Sequence, residues 1–446
     1  MPQFMSTQAL TYAAPSEEGL NSAYHERYTG ICGVNIEHLL DAARAVLQLP
    51  KAVAPTEIRI LAHGGYNKVF LIQFGASALV ARVPVPKPPA TRDPLRLKSQ
   101  IATLGFMSVY RPDVPIPRLF SAQLSGTNPA GVPYTFIEFC NGTPLTPPEW
   151  HDMSDASKRI VVDLLAEQWA RTTAPVPFSA IGSIVADSAD TSRSLWQRHS
   201  TPQRGFRIMP VIPQYPSAFT ELLDPSIEAR CGPTTLAEHW HYALDATRRA
   251  MVKKSPQWSD DGRRTFVRCA DIIRDLVNIA ASLDPLANST SRPAASNLAL
   301  VHGDFACWRN VLFSADRTRI EGIIDWDDSV VVPRDIAARY PEELTNQAWW
   351  PADPEDVFVI PPEVLPEDMF SCQIAMEHTQ LRKRFRDTVQ RFDPQLAMLY
   401  TDPRARFRRR VDYLAMHDWR GWLSYIDWIL EKAMDEAYAL AGNWRA

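Results

Sequence analysis

Asp304, Asn310 and Asp325 are the residues whose types and spacing could do chemistry. The stretch LALVHGDFACWRNVLF (298–313) passes from an apolar run into a polar turn carrying His302, Asp304, Arg309 and Asn310, and becomes apolar again. A second run, IEGIIDWDDS (320–329), sets Asp325 just after apolar residues. A hairpin turning through SADRTRIEG would bring Asn310 and Asp325 to one end. One carboxylate and one amide oxygen suit Mg2+, which takes a few hard oxygens and completes its octahedron with water and phosphate. Asp304, held by the preceding turn, would accept a hydroxyl proton as general base. Phosphoryl transfer needs these parts, because its catalysis is mainly positioning and charge neutralisation.

The elements that must position these residues are legible in outline. NIEHLLDAARAVLQL (35–49) has apolar residues at helical spacing behind an Asn35 cap. EIRIL, KVFLIQF and ALVARVPV are short strand-like runs parted by Gly, Pro and Ser, which predicts an antiparallel sheet. PLRLKSQIATLGFMSVY (94–110) reads as helix and YTFIEF (134–139) as strand, and NGTPLTPP then breaks the pattern. Beyond it the amphipathic runs ASKRIVVDLLAEQWART, TTLAEHWHYALDATRRAMVKK and RTFVRCADIIRDLVNIAASL predict helices. Residues 185–230, rich in Pro, Ser and Thr, read as long loops. The expected organisation is a lead-in over 1–30, a sheet-rich lobe over 31–139 and a helical lobe over 140–446.

Composition narrows the class. At 446 residues the chain is longer than one hydrophobic core usually grows, so two lobes are expected. A net charge of −4 dictates no partner, and no apolar run nears the length that spans a bilayer. The first 26 residues hold no Lys or Arg and include Glu17 and Glu18, unlike a secretory or transit leader. Six scattered cysteines without a C-x-x-C pair fit reduced thiols. Together these predict a soluble cytoplasmic protein. The tail runs LRKRFRDTVQRF and RARFRRRVDYL are basic, but acids follow on the same amphipathic pattern, so a solvated helix face is expected rather than nucleic-acid binding.

HGDFACWRNVLF…GIIDWDDS resembles the paired catalytic and metal motifs of the aminoglycoside phosphotransferase/choline-kinase-like family, closest to its fungal-type members. GGYNKVFLIQF, VARVPVP, VPIPRLF, FIEFCNGTPL, FSAIGSI and VVPRDIAARYP resemble further landmarks of that family in the same order, across residues 35–345. The resemblance implies an α+β, protein-kinase-like two-lobe fold, with a small antiparallel-sheet N-lobe and a larger mainly helical C-lobe. It implies ATP and Mg2+ as cofactors and a small-molecule hydroxyl as acceptor, with no nucleic acid and no membrane. Residue by residue, Asp304 is the implied base, and Asn310 and Asp325 are the implied metal ligands. Gly64, Gly65, Tyr66 and Asn67 would turn over the phosphates, Arg82 would neutralise them, and Glu138, Phe139 and Cys140 would meet adenine. His302 would brace the catalytic loop, and Asp335 would support it from behind.

The chain departs from that pattern twice. Asn310 follows Asp304 by six residues where the family has five, so either a bulge absorbs one residue or the amide is displaced. The helix position that usually supplies a glutamate to the phosphate-binding strand cation is Gln100, and no Glu occurs from Ile58 to Ile137. Both departures leave open a second class of function, a nucleotide-binding or scaffolding pseudokinase. Residues 58–137 hold nine Lys and Arg against Asp93 and Asp113, a balance that attracts a polyanion such as ATP. Residues 341–368 hold eight Asp and Glu and no Lys or Arg. That segment could face an amine-bearing acceptor.

Overall fold

The structure, a computed structural model, describes residues 33–63, 67–84, 92–186, 205–211, 229–254, 259–283, 297–345, 369–417, 419–423 and 425–442. These fall into two compact units that part between Asn141 and Gly142, with Ala186 and Gly205 grouping with the first. The fold is α+β, a small antiparallel-sheet unit and a larger mainly helical one.

The first unit contains helix α1 (Ile36–Val46), strands β1 (Glu57–His63), β2 (Asn67–Phe74) and β3 (Ser77–Pro84), helix α2 (Arg92–Tyr110), and strands β4 (Leu119–Gln123) and β5 (Tyr134–Glu138). The sheet is antiparallel in the order β1-β2-β3-β5-β4. Gly75, at φ 58°, makes the two-residue turn that joins β2 to β3. Alternation then sorts the faces. Phe70 opposes Ala81 and Ile72 opposes Leu79, and this face buries its apolar side chains with Ile36, Leu39, Leu40 and Ala43 of α1. Asn35 caps that helix by accepting the His38 N–H at 3.2 Å. Val69, Arg82 and Thr135 stand in register on the opposite face. Arg82 is therefore buried on the side of the sheet away from α1.

The second unit begins with α3 (Pro147–Asp152), α4 (Asp155–Thr172) and a strand pair, β6 (Ser183–Ala186) with β7 (Phe206–Met209). Helices α5 (Leu236–Lys254) and α6 (Asp260–Ser282) follow, then β8 (Leu298–Val301), β9 (Val311–Phe313), β10 (Ile320–Ile323) and β11 (Val330–Pro333). Helices α7 (Arg334–Ala337), α8 (Glu342–Thr345), α9 (Met369–Phe392), α10 (Pro394–Thr401) and α11 (Pro403–Met416) precede three short ones near the C-terminus. β8 pairs with β11 and β9 with β10, both antiparallel. The reading of 185–230 as loop is corrected at β7, and 187–204 and 212–228 lie outside the described residues. Four residues too few to show a period pair with β6, and Gly182, just before β6, sits close against Met209. Gly182 has φ 141°, and a Cβ there would lie only 1.9 Å from the Met209 carbonyl oxygen, so the position admits no side chain. Gly182 also exchanges both backbone hydrogen bonds with Val331 of β11, at 2.9 and 2.8 Å.

Part of the basic tail is spent inside the unit, while Lys383 and Arg391 stay exposed. Arg382 donates to the Leu344 carbonyl at 2.8 Å, Arg386 to the Tyr340 hydroxyl at 2.6 Å, and Arg409 to the Leu399 carbonyl at 2.7 Å. Arg408 Nε donates to Asp335 Oδ2 at 2.6 Å, with both side chains buried. This pair ties α7 to α11. Removing one partner leaves a buried charge, so Arg408→Ala is expected to cost about 3–5 kcal/mol of unfolding free energy. Urea titration of the variant and the wild type measures it.

Candidate active site

β8 ends at Val301 because His302 turns inward. Its imidazole is buried, with ring nitrogens engaged on both sides. Nδ1 lies 3.1 Å from the Asp304 backbone N–H, which can only donate, so Nδ1 accepts. Nε2 lies 2.8 Å from the Ile324 carbonyl, which can only accept, so Nε2 carries the proton. The ring is neutral in a fixed tautomer. Burial lowers its pKa, opposed by the Ile324 hydrogen bond and the charges of Asp325 and Asp304. Trp326 packs edge-on against it, with centroids 4.7 Å apart. The expected bracing role for His302 matches this arrangement.

The extra residue between Asp304 and Asn310 is taken up by one carbonyl. Ala306 O accepts the N–H groups of Arg309, Asn310 and Val311 at 3.3, 3.0 and 3.2 Å. Three consecutive donors on one acceptor wind the loop into a wide turn, and Asn310 is not displaced outward. It is 6 % exposed. Its Nδ2 donates to the Asp304 carbonyl and to Asp304 Oδ2, each at 2.8 Å. With both amide hydrogens used, Oδ1 is the end of the side chain that can serve a cation. The Asn310 carbonyl accepts the Ile324 N–H at 2.8 Å and so extends the β9–β10 ladder by one step.

That step brings Asp325 to the end of the hairpin where Asn310 stands. Asp325 adopts φ 64°, ψ 57°, a left-handed conformation that costs most L-residues roughly 1–2 kcal/mol and that Asp tolerates better than most. Such strain persists where the flanks are fixed. Here Ile324 is held through both backbone groups, and Trp326 donates its Nε1–H to the Ile323 carbonyl at 2.8 Å. A hard amide oxygen and a hard carboxylate at one hairpin end are a donor set that fits Mg2+. Among the described residues, no cluster of three or more His, Cys, Asp or Glu forms a metal site of another kind.

Arg309, a residue with no expected role, sits at Asp304. Arg309 donates Nη2–H to Asp304 Oδ1 at 2.7 Å and Nε–H to Oδ2 at 3.2 Å, and Nη2 also donates to Glu342 of α8. Burial works against the Arg309 charge, yet the hydrogen bonds to Asp304 and Glu342 outweigh it and raise its pKa. Beside it, Glu343 is buried and accepts the Cys307 N–H at 3.3 Å. Burial pushes the Glu343 carboxyl up to about 7 and the Cys307 thiol well above its ordinary value. Nothing in the spacing marked these contacts; the only signal was that Glu342 and Glu343 open the acidic segment. The remainder of that segment, 346–368, lies outside the described residues.

The other expected site residues divide. Gly64, Gly65 and Tyr66 lie outside the described residues, and Asn67 opens β2. Arg82 is buried in β3, and Gln100 is buried in α2 with no hydrogen-bond partner for Nε2 among the described residues. Glu138 ends β5, and its Oε2 accepts the Arg118 N–H at 3.1 Å; Phe139 and Cys140 follow, half-buried. Asp335, expected to support the loop from behind, is engaged by Arg408 of α11.

A family model described as "Phosphotransferase enzyme family" matches residues 57–335, more than half of the chain. The chain belongs to that family. Over 360 residues this family member is 26 % identical to a subtelomeric hrmA-associated cluster protein of Aspergillus fumigatus, spanning 74 % of this chain and 67 % of the relative. The counterpart from a second strain matches equally. Among solved structures it resembles aminoglycoside phosphotransferase APH(4)-Ia, at 13 % identity and a TM-score of 0.45, over 91 % of this chain and 98 % of that one. A thermostable mutant of that enzyme, in ternary complex with AMP-PNP and hygromycin B, gives 14 % and 0.43 over 87 % and 96 %. Among the described residues no helix is long and apolar enough to cross a membrane.

Glu343 sets a pH test for the site. Its folded pKa of about 7 lies above the ordinary 4.5, so its contribution to stability is full below pH 4.5 and is lost as pH rises through about 7. Glu343→Gln cannot ionise. The variant is expected to gain on the wild type steadily from pH 4.5 to above 7, read from unfolding midpoints at each pH.

Proposed function

We propose that this protein is an ATP- and Mg2+-dependent phosphotransferase that moves the γ-phosphate to a hydroxyl of a small molecule. The observation that carries the reading is the Asn310 side chain. Its two N–H groups are fixed on Asp304, while the Asn310 backbone carbonyl accepts the N–H of Ile324, one residue before Asp325. Asp304, Asn310 and Ile324 are thereby linked through backbone and amide hydrogen bonds, which supports reading Asp304 as base and Asn310 and Asp325 as hard-oxygen donors. Family membership supports the reaction class.

In this reading Asp304 orients the acceptor hydroxyl and takes its proton. Asn310 and Asp325 would hold Mg2+, which when bound supplies positive charge to the nucleotide's phosphates. Arg82, buried on its sheet face, would add charge there, and arginine grips phosphate without an acidic partner to tune it. Gly64, Gly65, Tyr66 and Asn67 would turn over the phosphates, and Glu138, Phe139 and Cys140 would meet the adenine. The acceptor is a small-molecule alcohol. Glu342 is already paired to Arg309 and Glu343 is buried, so neither is a first choice for binding an amine on it.

One observation favours the second reading, a nucleotide-binding scaffold without turnover. Gln100 stands buried where a glutamate would orient the strand cation. Asp304→Asn separates the two readings. For an enzyme, the variant should lose ATP consumption across a panel of alcohols yet keep the thermal shift that Mg-ATP gives the wild type. Equal consumption by variant and wild type would refute Asp304 as base. A shift with no consumption by either protein would leave the scaffold.

A further inference from the structure

The Asp304 carboxylate is held more tightly than its backbone explains. Oδ2 receives Arg309 Nε–H and Asn310 Nδ2–H, and Oδ1 receives Arg309 Nη2–H. A carboxylate offers about two lone-pair positions on each oxygen. Among the described residues, then, Oδ2 is filled and Oδ1 keeps one position. The Asn310 bond alone would leave the carboxylate able to turn, because terminal torsions of this type are broad and soft. The planar fork of Arg309 grips both oxygens together and stops that rotation.

Arg309 is itself anchored. Its Nη2 reaches Glu342 in the first turn of α8, whose next residue, Glu343, accepts the Cys307 N–H from within the same loop. The wide turn around Ala306 O sets Arg309 and Asn310 side by side. Asn310 is buried against the base, while Arg309 has a side chain 40 % exposed. Asp304 therefore has two side-chain donors from adjacent residues of the loop.

We propose that Arg309 is a positioning residue that fixes the plane of the Asp304 carboxylate and leaves Oδ1 as the oxygen that receives the acceptor's proton. The inference rests on the phosphotransfer reading. As the acceptor oxygen bonds to the γ-phosphorus, the bond from that phosphorus to the β-phosphate oxygen breaks. ADP leaves, and the hydroxyl proton passes to Oδ1.

Steady-state kinetics of the full chain with Mg-ATP, and an alcohol found active in the panel, test this with Arg309→Ala, Arg309→Lys and Asp304→Asn. Arg309→Ala is expected to lose about 10²-fold in kcat, the scale for a misplaced reacting group, with KM for ATP nearly unchanged. Guanidinium ion, added far below unfolding concentrations, should restore part of that loss, which repair of mere packing would not do. Arg309→Lys should fall between the alanine variant and the wild type, since one ammonium cannot grip two oxygens. Unchanged or faster turnover in Arg309→Ala overturns the inference, as does a loss that neither guanidinium nor lysine relieves. Turnover that needs Asp304 but not Arg309 removes this inference alone. Equal rates for wild type and Asp304→Asn, or no turnover by the wild type, remove the phosphotransfer reading and this inference with it.

Discussion

The candidate site depends on one neutral imidazole. His302 accepts the Asp304 N–H on Nδ1 and donates Nε2–H to the Ile324 carbonyl. A single buried ring thereby joins the turn carrying the proposed base to the residue before Asp325. Added charge would break the bond at Nδ1, and the other tautomer would break both. Burial supplies the constraint by disfavouring the cation, and Trp326 and Phe305 supply the walls.

Around that ring the structure fixes backbone first and side chains second. β8 is paired with β11, β11 is bridged to Gly182, and Gly182 lies against the Met209 carbonyl. α7 follows β11 directly and is tied to α11 by the buried Asp335–Arg408 pair. A buried pair of this kind is weak evidence for net stability, but it makes the position of α7 costly to change. β8, the strand that leads into Asp304, is thus held from the end opposite that residue.

Much of this is legible in the sequence. Short strand-like runs parted by Gly, Pro and Ser place β2 and β3, and the SADRTRIEG turn joins β9 to β10. The Asp304–Asn310 spacing is visible as an oddity, but whether the amide stays inside is not. The answer lies in three N–H groups converging on Ala306 O, a turn geometry that residue types do not encode singly. β7 escapes a sequence reading because four residues are too short to show a period, and its partner β6 lies about twenty residues upstream.

By itself the sequence determined the two-unit α+β plan, the hairpin and the identity of the hard-oxygen residues. These follow from local pattern, where apolar period and turn residues act over a few positions. Only the tertiary structure decided how Asp304 is held. Arg309 meets Glu342 across 33 residues, Cys307 meets Glu343 across 36, and Arg408 meets Asp335 across 73. Contacts over such separations are chosen by how helices and strands pack, and by the cost of burying a charge unpaired. Neither quantity is defined until the chain has folded.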